Sequence, residues 1–464
     1  MSALWTSSEI EAATGGVASA PFEVTGVTFD SREVGPGDLF VAMPGTVSDG
    51  HAFVAQAFAS GATAALVSQV VDGPHVLVAD VAGALEAMAV EARRRTQATV
   101  IGVTGSVGKT STKEALAAAL TRSRKGPVHR SVKSYNNHTG VPLSLARMPR
   151  DSRFAVLEMG MNHAGEIAAL TRLVRPHVAL VTAIAWAHIE QLGSIEAIAD
   201  AKGEIFQGLE EEGIAVIPED SPHRARLVKA ALRHADRTIT FGMSEDADVS
   251  TMHAARSDEG GSLVTARLVD SELTFTLSQR GDHWISNAMA VLAVVEAVGG
   301  DLGAAGLALA DLGGLKGRGQ RHRIAVEGGD GQAGWALLID ESYNANPASM
   351  AATLASLGSE RLTGRRIAVL GPMRELGHDA GAMHIALAEP IRAAGVERLV
   401  LVGDDMRGLA EALHGEIESV VADDVEQAAR LVQAILSPGD VVLVKASNSV
   451  GLAALVDRVA GGKA

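Results

Sequence analysis

Apolar and polar positions change their spacing repeatedly along the chain, and each change marks an element. The run EVTGVTF alternates as a half-buried strand does. EVGPGDLFVAMPG holds a short apolar strand between two turn signals, and residues 52–60 show helical spacing ahead of the apolar run ATAALV. These features predict a small α/β unit in the first hundred residues. A second unit opens with TVIGVTGSVGKTSTKEALAAAL, where a β-branched apolar run meets a Gly-rich turn and then an Ala/Leu helix former, and it continues through the strands FAVLEM and VALVTAI. The third follows the basic, Gly-rich stretch LKGRGQRHR and contains WALLID, RIAVLG, RLVLVG and DVVLVKAS, each followed by a helical pattern. A strand–helix series of this kind predicts a parallel sheet. No sustained repeat, heptad pattern or low-complexity tract interrupts the series, so solenoids and filaments drop out.

Composition narrows the class. At 464 residues the chain is long enough for about three domains. It has no cysteine, so disulfide scaffolds, thiolate metal sites and cysteine nucleophiles are excluded, and a reducing, cytoplasmic setting is the expectation. A net charge of −15 with only 3% aromatic residues argues against a nucleic-acid partner. No apolar stretch of about 18 residues occurs, and the N-terminus lacks a basic segment followed by an apolar one, so neither membrane insertion nor export is expected.

Two glycine motifs have opposite readings. Thr104-Gly-Ser-Val-Gly-Lys-Thr110 lies between a strand and a helix, where backbone amides bind phosphate, Lys109 reaches the β and γ oxygens, and Thr110 ligates Mg²⁺. Its first glycine is Gly105, with Val at position 103, so this loop is shorter than the standard phosphate-binding loop. In contrast, the GxGxxG match from Gly329 to Gly334 sits between two strand-like runs and opens no helix; it reads as a hairpin turn.

Other polar residues have both a chemical and an ordinary reading. Glu158 ends the strand FAVLEM, at the edge where open α/β sheets present functional groups, and could hold a second Mg²⁺ or simply face solvent. His188 follows a strand and could be a metal ligand or a satisfied core imidazole. Lys202 lies in a mostly apolar helical pattern. A buried amine would be neutral and able to take up CO₂ as a carbamate, an anionic metal ligand; the commoner alternative is a lysine snorkelling to the surface. Asn136 and Asn137 are turn residues or amide donors to phosphate and carboxylate oxygens. Asp340, at the end of WALLID, could take ribose hydroxyls while Tyr343 packs on a base, and Asn346 could cap the helix that starts near Pro347.

Taken in order, TGSVGKTST, NNHTGVP, LEMG, AWAHIEQLGS, IADAKGEIF, DHWISNAMA, KGRGQR and DESYNANP resemble the Mur ligase family, the ATP-dependent amino-acid and peptide ligases of bacterial cell-wall precursor synthesis. The resemblance implies an α/β protein of three domains. These are a small α/β N-terminal domain that binds the UDP substrate (1–97), a central P-loop ATPase-like domain (98–321) and a C-terminal Rossmann-like domain (322–464). It gives Gly105, Ser106, Gly108, Lys109 and Thr110 to ATP phosphates and Mg²⁺, Glu158 and His188 to a second Mg²⁺, and Lys202 to a carbamylated ligand. Asn287 and Tyr343 would approach adenine, Asp340 the ribose and Arg318 the γ-phosphate. Asn136 and Asn137 would meet the transferring phosphate or the acceptor carboxylate, and Ser31 and Arg32 the uridine diphosphate.

Within the family, YNANP and DSREVGPGDLFVAMPG imply addition of D-alanyl-D-alanine to UDP-N-acetylmuramoyl-tripeptide by a cytoplasmic monomer. The alternatives are the third-residue-adding ligase, a folylpolyglutamate synthase, or a nucleotide-binding switch that forms no bond. Three segments depart from the family pattern. Pro372 replaces an Asp, Lys445-Ala-Ser-Asn448 replaces Lys-Gly-Ser-Arg, and Asp340-Glu341 replaces Asp-Asp.

Overall fold

The computed structural model describes residues 3–45, 48–187, 189–256, 261–327 and 333–461. Three large sheets divide the described residues, beside a two-stranded antiparallel pair of 5–6 and 23–24. The first has five strands in the order 17–18, 75–77, 64–67, 38–41 and 26–28, parallel except for the antiparallel pair 17–18 and 75–77. Helix Val81–Arg95, capped by the Asp80 carboxylate, buries seven residues. Its neighbour in space is helix Gly140–Ala146, all of whose residues are buried. Trp5 ties the two units together. Its Nε1 donates to the Ala146 carbonyl at 2.8 Å, and the Arg95 guanidinium lies 3.6 Å from its ring centre.

The second sheet has nine strands, ordered 272–277, 262–267, 249–256, 237–242, 214–218, 178–181, 99–104, 154–158 and 128–130. The six strands from 237–242 to 128–130 are parallel, and the central ones, 214–218, 178–181 and 154–158, read as nearly continuous apolar runs. Strand 99–104 lies between 154–158 and 178–181, so connections leave it in opposite directions and its carboxyl end opens onto a crevice. The strands 249–256, 262–267 and 272–277 form an antiparallel meander at the far edge. That meander is an addition to the strand–helix series expected from the sequence, and its alternating burial over 262–267 is the period-two signal that marks it.

The third sheet runs 320–327, 333–341, 441–445, 366–370, 398–402, 418–422 and is parallel apart from its first pair. Strand 320–327 starts two residues ahead of the expected boundary at 322. It pairs antiparallel with 333–341 up to Glu327 and Ala333, so the GxGxxG match joins two strands of a hairpin; its residues 329–332 lie outside the described ones. Among the described residues no helix is long and apolar enough to cross a membrane.

Candidate active site

The loop after strand Thr99–Thr104 delivers helix Lys109–Arg122 directly, with Gly108 at its N-cap. Two glycines are obligatory there. A Cβ on Gly105 (φ +147°) would fall 2.0 Å from the Thr182 hydroxyl, and one on Gly108 (φ +84°) would fall 2.9 Å from Asn287 Oδ1. The Lys109 ammonium donates to the Gly105 carbonyl at 2.7 Å, and burial and the nearby Arg318 lower its pKa. Ser106, Gly108, Lys109 and Thr110 all line a cavity of about 700 Å³ between the second and third units.

Glu158, at the end of the strand next to the one that feeds the loop, is the hub beside it and is 1% exposed. Thr110 Oγ1 donates to one carboxylate oxygen at 2.8 Å and Asn136 Nδ2 to the other at 2.7 Å, while the Ser131 hydroxyl accepts from the Glu158 amide at 3.1 Å. Lys113 Nζ stands 3.8 Å from the same carboxylate and donates to the Lys133 carbonyl. Lys113 is absent from the sequence reading; its spacing of one helical turn from Lys109 is the signal that would have found it. Asn137 takes the turn role, with its Oδ1 accepting from the amides of Thr139 and Gly140 at 3.3 and 2.9 Å.

Lys202 is fully buried, and its Nζ has no hydrogen-bond partner. The surface-snorkelling reading is therefore corrected: helix Ile195–Gly203 turns this side chain into the protein. Burial first, then the charge of Lys109, lowers its pKa well below that of an ordinary lysine, while Glu204, Glu158 and Glu166 oppose the shift. His188 lies outside the described residues. Among the described residues no group of three or more His, Asp or Glu side chains is gathered to hold a metal. What the cavity wall gathers is the Thr110 hydroxyl on the Glu158 carboxylate, oxygen donors that suit a hard divalent cation; the Lys202 amine lies behind it, within range of the charges of Glu158 and Lys109 but not lining the cavity.

The third unit closes the cavity. Arg318 lies with its guanidinium 3.9 Å from the Tyr343 ring centre, and its Nη2 donates to Ser134 Oγ at 3.1 Å, so it spans from the linker to the central unit. Asp340 is corrected as a ribose ligand in this geometry. It is 0% exposed, does not line the cavity, and both its oxygens are engaged: one by the Gly317 amide at 2.7 Å, the other by the Ser342 amide and hydroxyl at 3.1 and 2.6 Å. Glu341 faces the cavity instead, 3.6 Å from the buried Lys445, whose Nζ also donates to the Asn344 carbonyl. Burial raises the Glu341 pKa against the pull of Lys445. His283 also lines the cavity, its pKa lowered to about 4 by burial and by Lys445.

Ser31 and Arg32 lie in the loop between strands 26–28 and 38–41, away from this cavity. The Arg32 side chain is 83% exposed and bidentate on Asp30, whose pKa is lowered to about 2 mainly by that contact. The next residue, Glu33, pairs with Lys133 and accepts from Tyr135 Oη at 3.3 Å, joining this loop to the segment that carries Asn136.

A phosphate-binding loop, a carboxylate hub at the sheet's carboxyl edge and an arginine delivered by a linked third domain define an ATP-dependent ligase. The chain matches the Mur ligase family catalytic domain over residues 23–117, the Mur ligase middle domain over 103–295 and the Mur ligase glutamate ligase domain over 322–448, and it belongs to the Mur ligase family. It is 35% identical to the UDP-N-acetylmuramoyl-tripeptide--D-alanyl-D-alanine ligase of Escherichia coli, over 95% of each chain, and 34% identical to that of Bacillus subtilis, also over 95% of each. Crystal structures of MurF from Acinetobacter baumannii (28% identity, 98% and 99% coverage, TM-score 0.83) and of MurF from Thermotoga maritima in complex with ADP (29%, 94% and 97%, 0.75) share the fold.

Proposed function

We propose that this protein joins D-alanyl-D-alanine to the terminal carboxylate of UDP-N-acetylmuramoyl-tripeptide, consuming ATP and releasing ADP and phosphate, in peptidoglycan precursor synthesis. The observation that carries the reading is the near-full-length match to ligases of that one specificity, on a chain whose phosphate loop, Glu158 hub and Arg318 share one cavity. The tripeptide carboxylate oxygen attacks the γ-phosphorus, ADP departs, and an acyl phosphate forms. The dipeptide amine then attacks the acyl carbon, and the tetrahedral intermediate expels phosphate to leave the amide.

Loop amides from Ser106 to Thr110 and the Lys109 ammonium receive the phosphates, while Arg318, steadied by Tyr343 and Ser134, meets the developing charge. Asn136 holds the Glu158 carboxylate in place. Thr110 and Glu158, with Lys202 as a carbamate, would hold Mg²⁺, which supplies charge neutralisation at the phosphate oxygens. Glu341, rather than Asp340, offers the carboxylate to the ribose, with Tyr343 and Asn287 toward the base. Ser31 and Arg32 are assigned to the uridine diphosphate, on domains divided near residues 97 and 321. The enzyme works as a cytoplasmic monomer. Incubation with ATP, Mg²⁺, each UDP-tripeptide and D-alanyl-D-alanine, read by product mass, tests the proposal: a pentapeptide product is expected, and ATP turnover with no mass gain refutes it.

A further inference from the structure

The linker turn 317–319 is tied to the end of strand 333–341 by four contacts. Asp340 accepts the Gly317 amide on its side chain at 2.7 Å and the Gly319 amide on its carbonyl at 2.9 Å, while the Tyr343 amide donates back to the Gly317 carbonyl at 3.1 Å. The fourth is Arg318 over the Tyr343 ring. Gly317 (φ +73°) and Gly319 (φ +84°) allow the turn to wrap this tightly, and a Cβ on Gly317 would lie 2.8 Å from Tyr343 Cβ. Ser342 fills the remaining acceptor capacity of the Asp340 carboxylate with its amide and hydroxyl. A fully buried carboxylate with every donor supplied by two backbone segments is a structural fastener.

We propose that Asp340 is a positioning residue that locks the inter-domain linker onto the C-terminal sheet and thereby fixes Arg318 toward the phosphate loop. This rests on the assignment of Arg318 to the transferring phosphate, and it takes Asp340 out of the ribose site. Among the described contacts Asp340 is the one side chain that accepts a backbone amide of the turn, while the far end of Arg318 reaches Ser134, so the carboxylate anchors the base of Arg318 and, with it, the angle between the central and C-terminal domains. Converting it to an amide leaves one of its two donor groups facing an NH₂.

The test uses Asp340→Asn in the full chain. Because the protein has no cysteine, single cysteines at the exposed positions Lys229 and Glu411 take a donor and acceptor dye without background, and their separation reports the domain angle. The expected result is a broadened separation without any ligand. Turnover should fall about tenfold or more, as expected when a reacting group is misplaced. The rate ratio between ATP and 2′-deoxy- or 3′-deoxy-ATP should stay that of the parent.

An unchanged separation overturns the proposal. So does a kcat within about twofold of the parent together with loss of ribose discrimination, the signature of a ribose ligand. If Asp340→Asn does not fold, Ser342→Ala removes one donor from the same carboxylate and must broaden the separation in the same direction. The distance measurement needs no peptide substrate, so it decides the clamp even if the ligation assay shows the wrong product.

Discussion

Replacing Lys202 by methionine should make the protein more stable and inactive at once. The side chain is fully buried with an unpartnered amine, and methionine keeps the unbranched stem while deleting the nitrogen. An unsatisfied buried polar group costs about 1–3 kcal/mol, and exchanging buried ions for apolar isosteres gains about 1–4 kcal/mol. In buffer free of Mg²⁺ and CO₂, Lys202→Met should therefore gain about 1–3 kcal/mol, read as a higher urea midpoint by tryptophan fluorescence. The pH dependence has a definite sign. The folded pKa is lowered, so from that value up to the ordinary lysine range the unfolded chain binds more protons, and parent stability climbs by up to about 1.4 kcal/mol per pH unit. The variant lacks that slope, and its advantage shrinks toward high pH.

Bicarbonate with Mg²⁺ should raise the parent's midpoint alone, because only a neutral amine takes up CO₂, releasing a proton to become a carbamate. In turnover, Lys202→Ala should be severely impaired and partly restored by acetate or formate but not by chloride, since a carboxylate can occupy the position of a carbamate and general screening cannot. A variant less stable than the parent would refute the burial argument. Turnover near the parent's would remove Lys202 from the site, and failure of every carboxylate would refute the carbamate.

Lys109→Ala should lower kcat about 10²–10³-fold with an unchanged melting temperature, because it removes a cavity-facing cation from the phosphate clamp; undiminished turnover at saturating ATP would contradict it. Glu341→Gln should raise the ATP KM more than it lowers kcat, since ribose contacts are similar in ground and transition states, and steady-state kinetics check this. His129 Nε2 donates to the Ser144 carbonyl at 2.7 Å, and burial lowers its pKa to about 4. Its neutral form is favoured in the fold, so stability present above the unfolded value near 6.5 should fall by about 3 kcal/mol as pH drops toward 4, and His129→Gln should flatten that part of the pH–stability curve.

The phosphate loop was legible in sequence because its backbone admits only glycine at two fixed places, and chain chemistry records that demand directly. Glu158 was legible for a related reason: a lone carboxylate at the end of the apolar run FAVL has to emerge at the sheet's edge. Lys202 was not. Helical spacing shows which residues share a face, but spacing within helix Ile195–Gly203 does not show that Lys202 is buried within range of Lys109 and Glu158, which other elements bring to it. The Asp340–Glu341 pair shows a sharper limit. Adjacent strand residues point to opposite sides, so the sequence places one carboxylate toward the nucleotide and one away, and only the path of the linker decides which. Lys445 was noticed as part of a departing motif, yet its pairing with Glu341 depends on strands 333–341 and 441–445 being neighbours, with 103 residues between the two positions.

An acyl phosphate is wasted if water reaches it before the amine, so ATP chemistry has to wait until the domains are in register. The segment from Ser131 to Asn137 gives that requirement a physical form. Lys133 pairs with Glu33 of the first domain, and its carbonyl accepts from Lys113 of the helix that begins at the phosphate loop. Ser134 meets both Thr110 and Arg318, while Asn136 holds Glu158. Lys133 itself has φ +53°, a left-handed conformation that a lysine adopts only when its surroundings enforce it. Seven residues without helix or strand thus touch the Glu33 loop of the first domain, the helix Lys109–Arg122, the Glu158 hub and the linker arginine. One short stretch of chain is thereby held at once by the first domain, by the central domain on both sides of the phosphate loop, and by the linker, so the phosphate-loop surroundings are built from contacts that cross domain boundaries.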